Sequence, residues 1–255
     1  MPESPIFDSP PAAQRVARLG SPIANGRMSS GTHSLRCCAR GHMDAEIVAE
    51  RLADVRNVID SVGRSDVRIV AVTKALPTDA IAIAHEVGLR DIGENYAQEL
   101  VSKLDLINAD TRVHFIGRIQ RNKVRKIVER VDQWHSVSRP EILHEIGKRR
   151  AGTSVLLQVN PTADPTKDGI AAEEIESMLA TAIAADVVVD GLMTIGVHDD
   201  ADASKAAFEE VDSLCRHWNL QERSMGMSGD YRDALEAGAT ILRLGSVLFG
   251  PRPQR

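Results

Sequence analysis

Val67-Arg68-Ile69-Val70-Ala71-Val72-Thr73-Lys74 is a short apolar run that delivers one amine at its end. With so little polar surface on either face, the run suits a strand buried on both sides in a parallel sheet. Pro77 and Thr78 then break it before a new helical pattern. A lysine at the C-terminal lip of a buried strand stands where α/β folds gather their ligand chemistry. The ordinary alternative is a strand-end lysine whose stem lies on apolar surface while its amine reaches water.

The same grammar recurs down the chain. Strands are expected at 67–73, 91–95, 113–117, 133–137, 154–160, 187–195, 224–228 and 241–245. Between them lie helical patterns at 78–87, 97–107, 121–130, 140–149, 171–185, 203–218 and 230–237. An opening helix carries a stripe of Ile47, Leu52, Val55, Val58 and Ile59 and stops at Gly63. Eight short strands alternating with helices predict a single (β/α)8 TIM barrel over residues 43–255, near the lower end of that fold's size range. An open doubly wound sheet is the rival, and no G-x-G-x-x-G follows the first strand to support it.

Residues 1–42 read differently. They are rich in Pro, Ser and Gly and carry five arginines against Glu3 and Asp8, with no apolar core of a secretory signal. This stretch is expected to be a disordered extension or the product of a start placed upstream of Met43. The whole chain of 255 residues is 43% hydrophobic and 26% charged, with a formal net charge of -5. That balance argues against a nucleic-acid binder, which would carry a basic excess. No apolar run approaches the roughly 18–20 residues of a membrane span. Cys37, Cys38 and Cys215 make neither a disulfide framework nor a metal set, so a reducing cytoplasm is the expected compartment.

Phosphate cradles in barrels commonly form from the loops after strands seven and eight. Here those loops are Met227-Ser228-Gly229-Asp230 and Gly245-Ser246, small residues placed just where helices begin. Turning or capping the chain is their commonplace use. Arg243 lies within the eighth strand and points either outward to the helices or inward, where burial would demand a partner. Together with Lys74 this points to a phosphorylated aldehyde held as a Schiff base. Asn95 sits at the second outlet beside Glu94, for which pairing with a basic neighbour is expected. His114 reads as a satisfied core histidine, Lys123, Arg125 and Lys126 as a solvated helix face, and Lys167 as a residue able to reach over the mouth. The acids after His198 suit a helix dipole better than a metal.

These residues fall in segments that resemble the pyridoxal phosphate homeostasis proteins. The resemblance runs through Val70 to Lys74, Ile92 to Glu99, His114 to Lys123, Leu157 to Asn160, Lys167 to Gly169, Gly191 to Ile195, Ser224 to Tyr231 and Arg243 to Arg252, in order. Thr73 stands where Ser is usual, and Arg118-Ile119 departs from the common approach. The resemblance implies the barrel of the alanine racemase N-terminal domain, with pyridoxal 5′-phosphate (PLP) as cofactor. Lys74 would hold the Schiff base, Arg243 would face the pyridine nitrogen, Asn95 would line the ring, and Ser228, Gly245 and Ser246 would hold the phosphate. It further implies a monomeric cytoplasmic protein of PLP homeostasis without a defined turnover, with PLP-dependent apoenzymes as candidate partners. The alternatives are a PLP-dependent racemase, for which a second acid/base from a further domain is expected, and a cofactor-free Schiff-base aldolase.

Overall fold

The computed structural model describes residues 44–162, 164 and 167–251, all within the compact unit Gly41–Arg255. The expected extension at 1–42, with Cys37 and Cys38, lies outside the described residues. Eight parallel strands close into a barrel in sequence order: β1 (Arg68–Val72), β2 (Asp91–Glu94), β3 (Arg112–Phe115), β4 (Gln133–Val137), β5 (Thr153–Gln158), β6 (Val187–Met193), β7 (Glu222–Ser224) and β8 (Ile241–Leu244). Closure is direct, with Arg68 to Ala71 of β1 in register with Ile241 to Leu244 of β8. The barrel is therefore the expected one.

Around it lie α1 (Ala45–Ser61), α2 (Asp79–Glu86), α3 (Ala97–Lys103), α4 (Arg121–Ile127), α5 (Pro140–Gly147), α6 (Ile175–Ala184), α7 (Ala201–His217), α8 (Tyr231–Glu236) and α9 (Ser246–Phe249). Asp44 caps α1 by accepting from the Glu46 amide at 2.9 Å, and Asp200 caps α7 by accepting from Ala203 at 2.9 Å. Among the described residues no group of acids, histidines and cysteines could hold a metal, and no helix is long and apolar enough to cross a membrane.

Alternation along the strands makes two cores. Ile69, Ala71, Val113, Phe115, Trp134, Leu242 and Leu244 belong to the large aliphatic layer shared with the helices. Val70, Leu156, Met193 and Ile241 make a small cluster inside the barrel. The rest of the buried interior is polar, with His114, His135, Ser224 and Arg243. At Gly93 an added Cβ would come within 2.9 Å of a Val70 methyl and 3.1 Å of an Ile116 methyl, so a side chain there would have to push both aside.

Several expected boundaries move, each for a local reason. The seventh strand is Glu222–Ser224 rather than 224–228, because Gly226 takes a left-handed φ of 88° and turns the chain. Its opening residues escaped the apolar pattern since Glu222 pairs with Arg68 and Arg223 with Asp212. The expected helices 97–107 and 121–130 each end in a short 3-10 turn, Leu104–Leu106 and Val128–Arg130. On α1, Val48 rather than Ile47 faces the core, and Ile47 is exposed. Thr78 makes no side-chain cap on α2, since its own backbone is already helical.

Candidate functional site

At the C-terminal ends of β1 and β8, Lys74, Asn95, Ser228, Arg243, Gly245 and Ser246 line one cavity of about 280 Å³. Val72, Ile116, Met193, Ile195 and Met227 supply much of the apolar wall. All six residues singled out from the sequence thus meet, though Lys74 and Ser246 stand 172 positions apart in the chain. A second cavity of about 220 Å³ shares Asn95, Ile116 and Ile195 and is lined further by Lys167, which donates to the Gly196 carbonyl at 3.3 Å. A larger cavity, about 460 Å³, lies by α3 and α4 over Phe115 and Trp134 and holds neither Lys74 nor Arg243. Convergent chemistry rather than volume marks the 280 Å³ cavity as the candidate.

On one wall, the Ser228 hydroxyl oxygen accepts from the backbone amides of Gly245 and Val247, both at 3.2 Å. Two N–H groups from the start of α9 thus converge on a single oxygen, the arrangement by which backbone binds an oxyanion. The turn that presents Ser228 is braced by Asp230, whose carboxylate accepts from the Met227 amide at 2.5 Å.

Arg243 points inward and is only 4% exposed. Its Nη1 donates to Ser224 Oγ and its Nη2 to the Thr194 carbonyl, each at 2.7 Å. Burial pushes the guanidinium down to about 10, against the opposing pull of Asp230. At that value it stays a cation at neutral pH, and an arginine offers donors only.

Behind Lys74 lies a buried cluster that the sequence reading missed. Lys103 Nζ donates to the Thr73 carbonyl at 2.8 Å and to Glu94 Oε1 and Glu99 Oε1, both at 2.7 Å. Thr73 donates to Glu94 Oε1 at 2.6 Å, and Glu99 accepts from the Ala75 amide at 2.7 Å. Ala75 has a left-handed φ of 56°, so Lys74 sits on backbone clamped from both sides. Glu94 does pair with a basic neighbour, as expected, and burial raises its carboxyl above the ordinary range. Lys103 itself could have been found: in the helix beginning at Ala97 it follows Glu99 by one turn.

The remaining candidates have ordinary roles. His114 is fully buried and bonded at both ring nitrogens, to His135 and Asp91 at 2.8 Å each. Arg125 and Lys126 are exposed, while Lys123 lines the 460 Å³ cavity. His198 and Asp199 form an exposed pair in the loop before α7. Asn95 Oδ1 is shut off from solvent with no hydrogen-bond partner among the described residues, although the residue lines the candidate cavity.

The sequence profile described as alanine racemase, N-terminal domain, matches residues 44–253. A pyridoxal phosphate homeostasis protein of Pseudomonas aeruginosa is 39% identical over 220 residues, which cover 82% of this chain and 95% of the relative. Among solved structures, PipY of Synechococcus elongatus with PLP bound superposes with a TM-score of 0.70 at 31% identity, over 80% of this chain and all of that one. Alanine racemase of Corynebacterium glutamicum shares the fold, with a TM-score of 0.65 at 17% identity over 83% of this chain and 62% of its own length. With a matching profile over most of its length and a relative this similar end to end, the chain belongs to the pyridoxal phosphate homeostasis protein family.

Proposed function

We propose that this protein binds PLP in the 280 Å³ cavity, holds it as a Schiff base on Lys74, and serves in cytoplasmic PLP homeostasis as a monomer that exchanges cofactor with PLP-dependent apoenzymes. The observation that carries this reading is the convergence on one cavity of an amine, a donor-only cation and a two-amide oxyanion cradle. PLP carries the three matching groups: an aldehyde, a ring nitrogen that accepts, and a phosphate. The cavity volume lies close to the lower end of small-ligand sites, ~300 Å³. Asn95 lines the same cavity and would lie against the ring.

When bound, the cofactor supplies an electrophilic aldehyde and a ring able to take up electrons. The residues favour holding over turnover. Arg243 offers donors only, so facing a ring nitrogen it would leave that nitrogen unprotonated and the ring a weak electron sink. The Ser228 hydroxyl, whose oxygen the Gly245 and Val247 amides hold, would donate to the phosphate, and Lys74 would tether the aldehyde reversibly.

The test is the visible spectrum of the purified protein mixed with PLP, before and after borohydride, followed by peptide mapping. Bleaching of a yellow band and a pyridoxyl group on Lys74 are expected. A label found mainly on Lys123 or Lys167, or none, would refute the reading.

A further inference from the structure

Beneath the cavity a line of buried side chains runs through the barrel to its opposite rim. Arg243 Nη1 lies 2.7 Å from Ser224 Oγ, and Ser224 Oγ lies 2.8 Å from His135 Nδ1. His135 Nε2 is 2.8 Å from His114 Nδ1, and His114 Nε2 is 2.8 Å from Asp91 Oδ1. The five residues come from β8, β7, β4, β3 and β2. His114, His135 and Ser224 are fully buried, and Asp91 sits at the first position of β2, half-buried beside Arg68.

We propose that Asp91, His114, His135 and Ser224 are positioning residues for the candidate site, forming a one-way hydrogen-bond chain that fixes the Arg243 guanidinium as the donor on the cavity floor. The proposal rests on the reading of that cavity as a PLP site.

The direction follows from the two ends. A guanidinium has no acceptor and a carboxylate has no donor. Asp91 therefore accepts from His114 Nε2–H, which leaves His114 Nδ1 to accept from His135 Nε2–H. His135 Nδ1 then accepts from the Ser224 hydroxyl, whose oxygen accepts from Arg243. Every proton has one place, and both ends demand the same direction. This holds only while both rings are neutral. Burial depresses both histidines, and Arg243, Arg68 and His114 add to the effect on His135. Protonated His135 would aim a second N–H at Ser224 and set a cation against Arg243.

The charged groups facing this line are few. Arg68 of β1 lies 3.8 Å from Asp91 and 3.1 Å from Glu222 of β7, and Arg112 of β3 lies 4.0 Å from Asp91. Asp190 of β6 is engaged by Ser154 and Gln133, and Asp230 faces Arg243. The one acid in the line stands at its far end. The cavity end carries only donors: with Ser224 and Thr194 holding its two terminal nitrogens, Arg243 is set in one orientation.

The deciding measurement is nitrogen-15 NMR of the imidazole rings in the full chain without cofactor, at pH 7 and pH 5.5. His114 and His135 are expected to be neutral at both values, each protonated on Nε2 with Nδ1 bare. An Nδ1–H tautomer or an imidazolium of either ring at pH 7 would overturn the chain. On the PLP-loaded protein, Ser224→Ala and His135→Phe should each weaken PLP binding about tenfold. Each should also move the pH midpoint of the visible band by about one unit, and Ser224→Thr should restore both. If Ser224→Ala and His135→Phe keep the wild-type midpoint and affinity while borohydride still labels Lys74, the positioning role is overturned and PLP binding stands. If wild type takes no label at Lys74, the PLP reading fails, whereas the NMR result still decides the chain.

Discussion

Lys103 and Glu94 form an ion pair of 2.7 Å in which the two side chains are 3% and 0% exposed, directly behind the strand end that carries Lys74. A pair this deep is costly to make and more costly to halve. Lys103→Met leaves Glu94 buried opposite an apolar group and frees the Thr73 carbonyl. Urea unfolding should show a loss of about 3–5 kcal/mol, with part of it recovered in the double variant Lys103→Met, Glu94→Gln. A loss below 1 kcal/mol would mean that the cluster is not what clamps the strand end.

The phosphate cradle makes a separable prediction. Ser228→Ala removes the oxygen that the Gly245 and Val247 amides now engage, in a half-buried turn where little packing is lost. PLP affinity should fall about tenfold, or ~1.4 kcal/mol, as expected for one hydrogen bond to a charged group. Thermal stability without cofactor should hardly change. Fluorescence titration with PLP, repeated with inorganic phosphate as competitor, measures both.

Stability should also depend on pH in a defined direction. His114 and His135 are pushed below their ordinary 6.5 by burial, so the folded protein binds fewer protons on them than the unfolded chain does. Stability is therefore intact above pH 6.5 and lost as pH falls below it, with a slope approaching about 1.4 kcal/mol per pH unit for each histidine. Glu94, raised by burial, works the other way, its contribution being lost as pH rises above the ordinary 4.5. Urea unfolding across pH 5 to 8 should show the decline on the acid side, and His135→Asn should flatten it. An unchanged slope in that variant would count against burial of a neutral ring.

Turnover provides the last test. With Arg243 as donor to the ring nitrogen, the loaded protein should racemize alanine, serine and branched-chain amino acids no faster than free PLP. A chiral chromatographic assay reads this directly. Racemization well above that rate, abolished in Lys74→Ala, would move the protein among the racemases.

Much of this architecture was legible along the chain because its causes are local. A strand buried on both faces must be nearly all apolar, and residues 68–72 are; Gly63 and Gly88, both with left-handed φ, follow the ends of α1 and α2 as helix-stopping glycines do. Lys74, Ser228, Arg243 and the Gly245-Ser246 turn announced themselves because an amine, a guanidinium and small turn residues stand out at strand ends. Where a polar pair replaced an apolar residue, as with Glu222 and Arg223 in β7, the pattern failed and the boundary slipped.

What the sequence by itself determined was the alternation of eight strands with helices and the identity of the residues at their outlets. It could not decide that Arg243 faces inward, since a strand's pleat allows either face until its neighbours are in register. Pairing of β8 with β1 and β7 decided that, and it brought Ser224 under the guanidinium. Likewise His114 and His135, unremarkable one at a time, meet only because β3 and β4 pair in parallel on the barrel's inner face. Lys103 finds Glu94 and Thr73 only once α3 folds back over β1 and β2. A hydrogen bond needs its two atoms within about 3 Å. Separations of 9 to 30 residues hide that distance until the barrel closes.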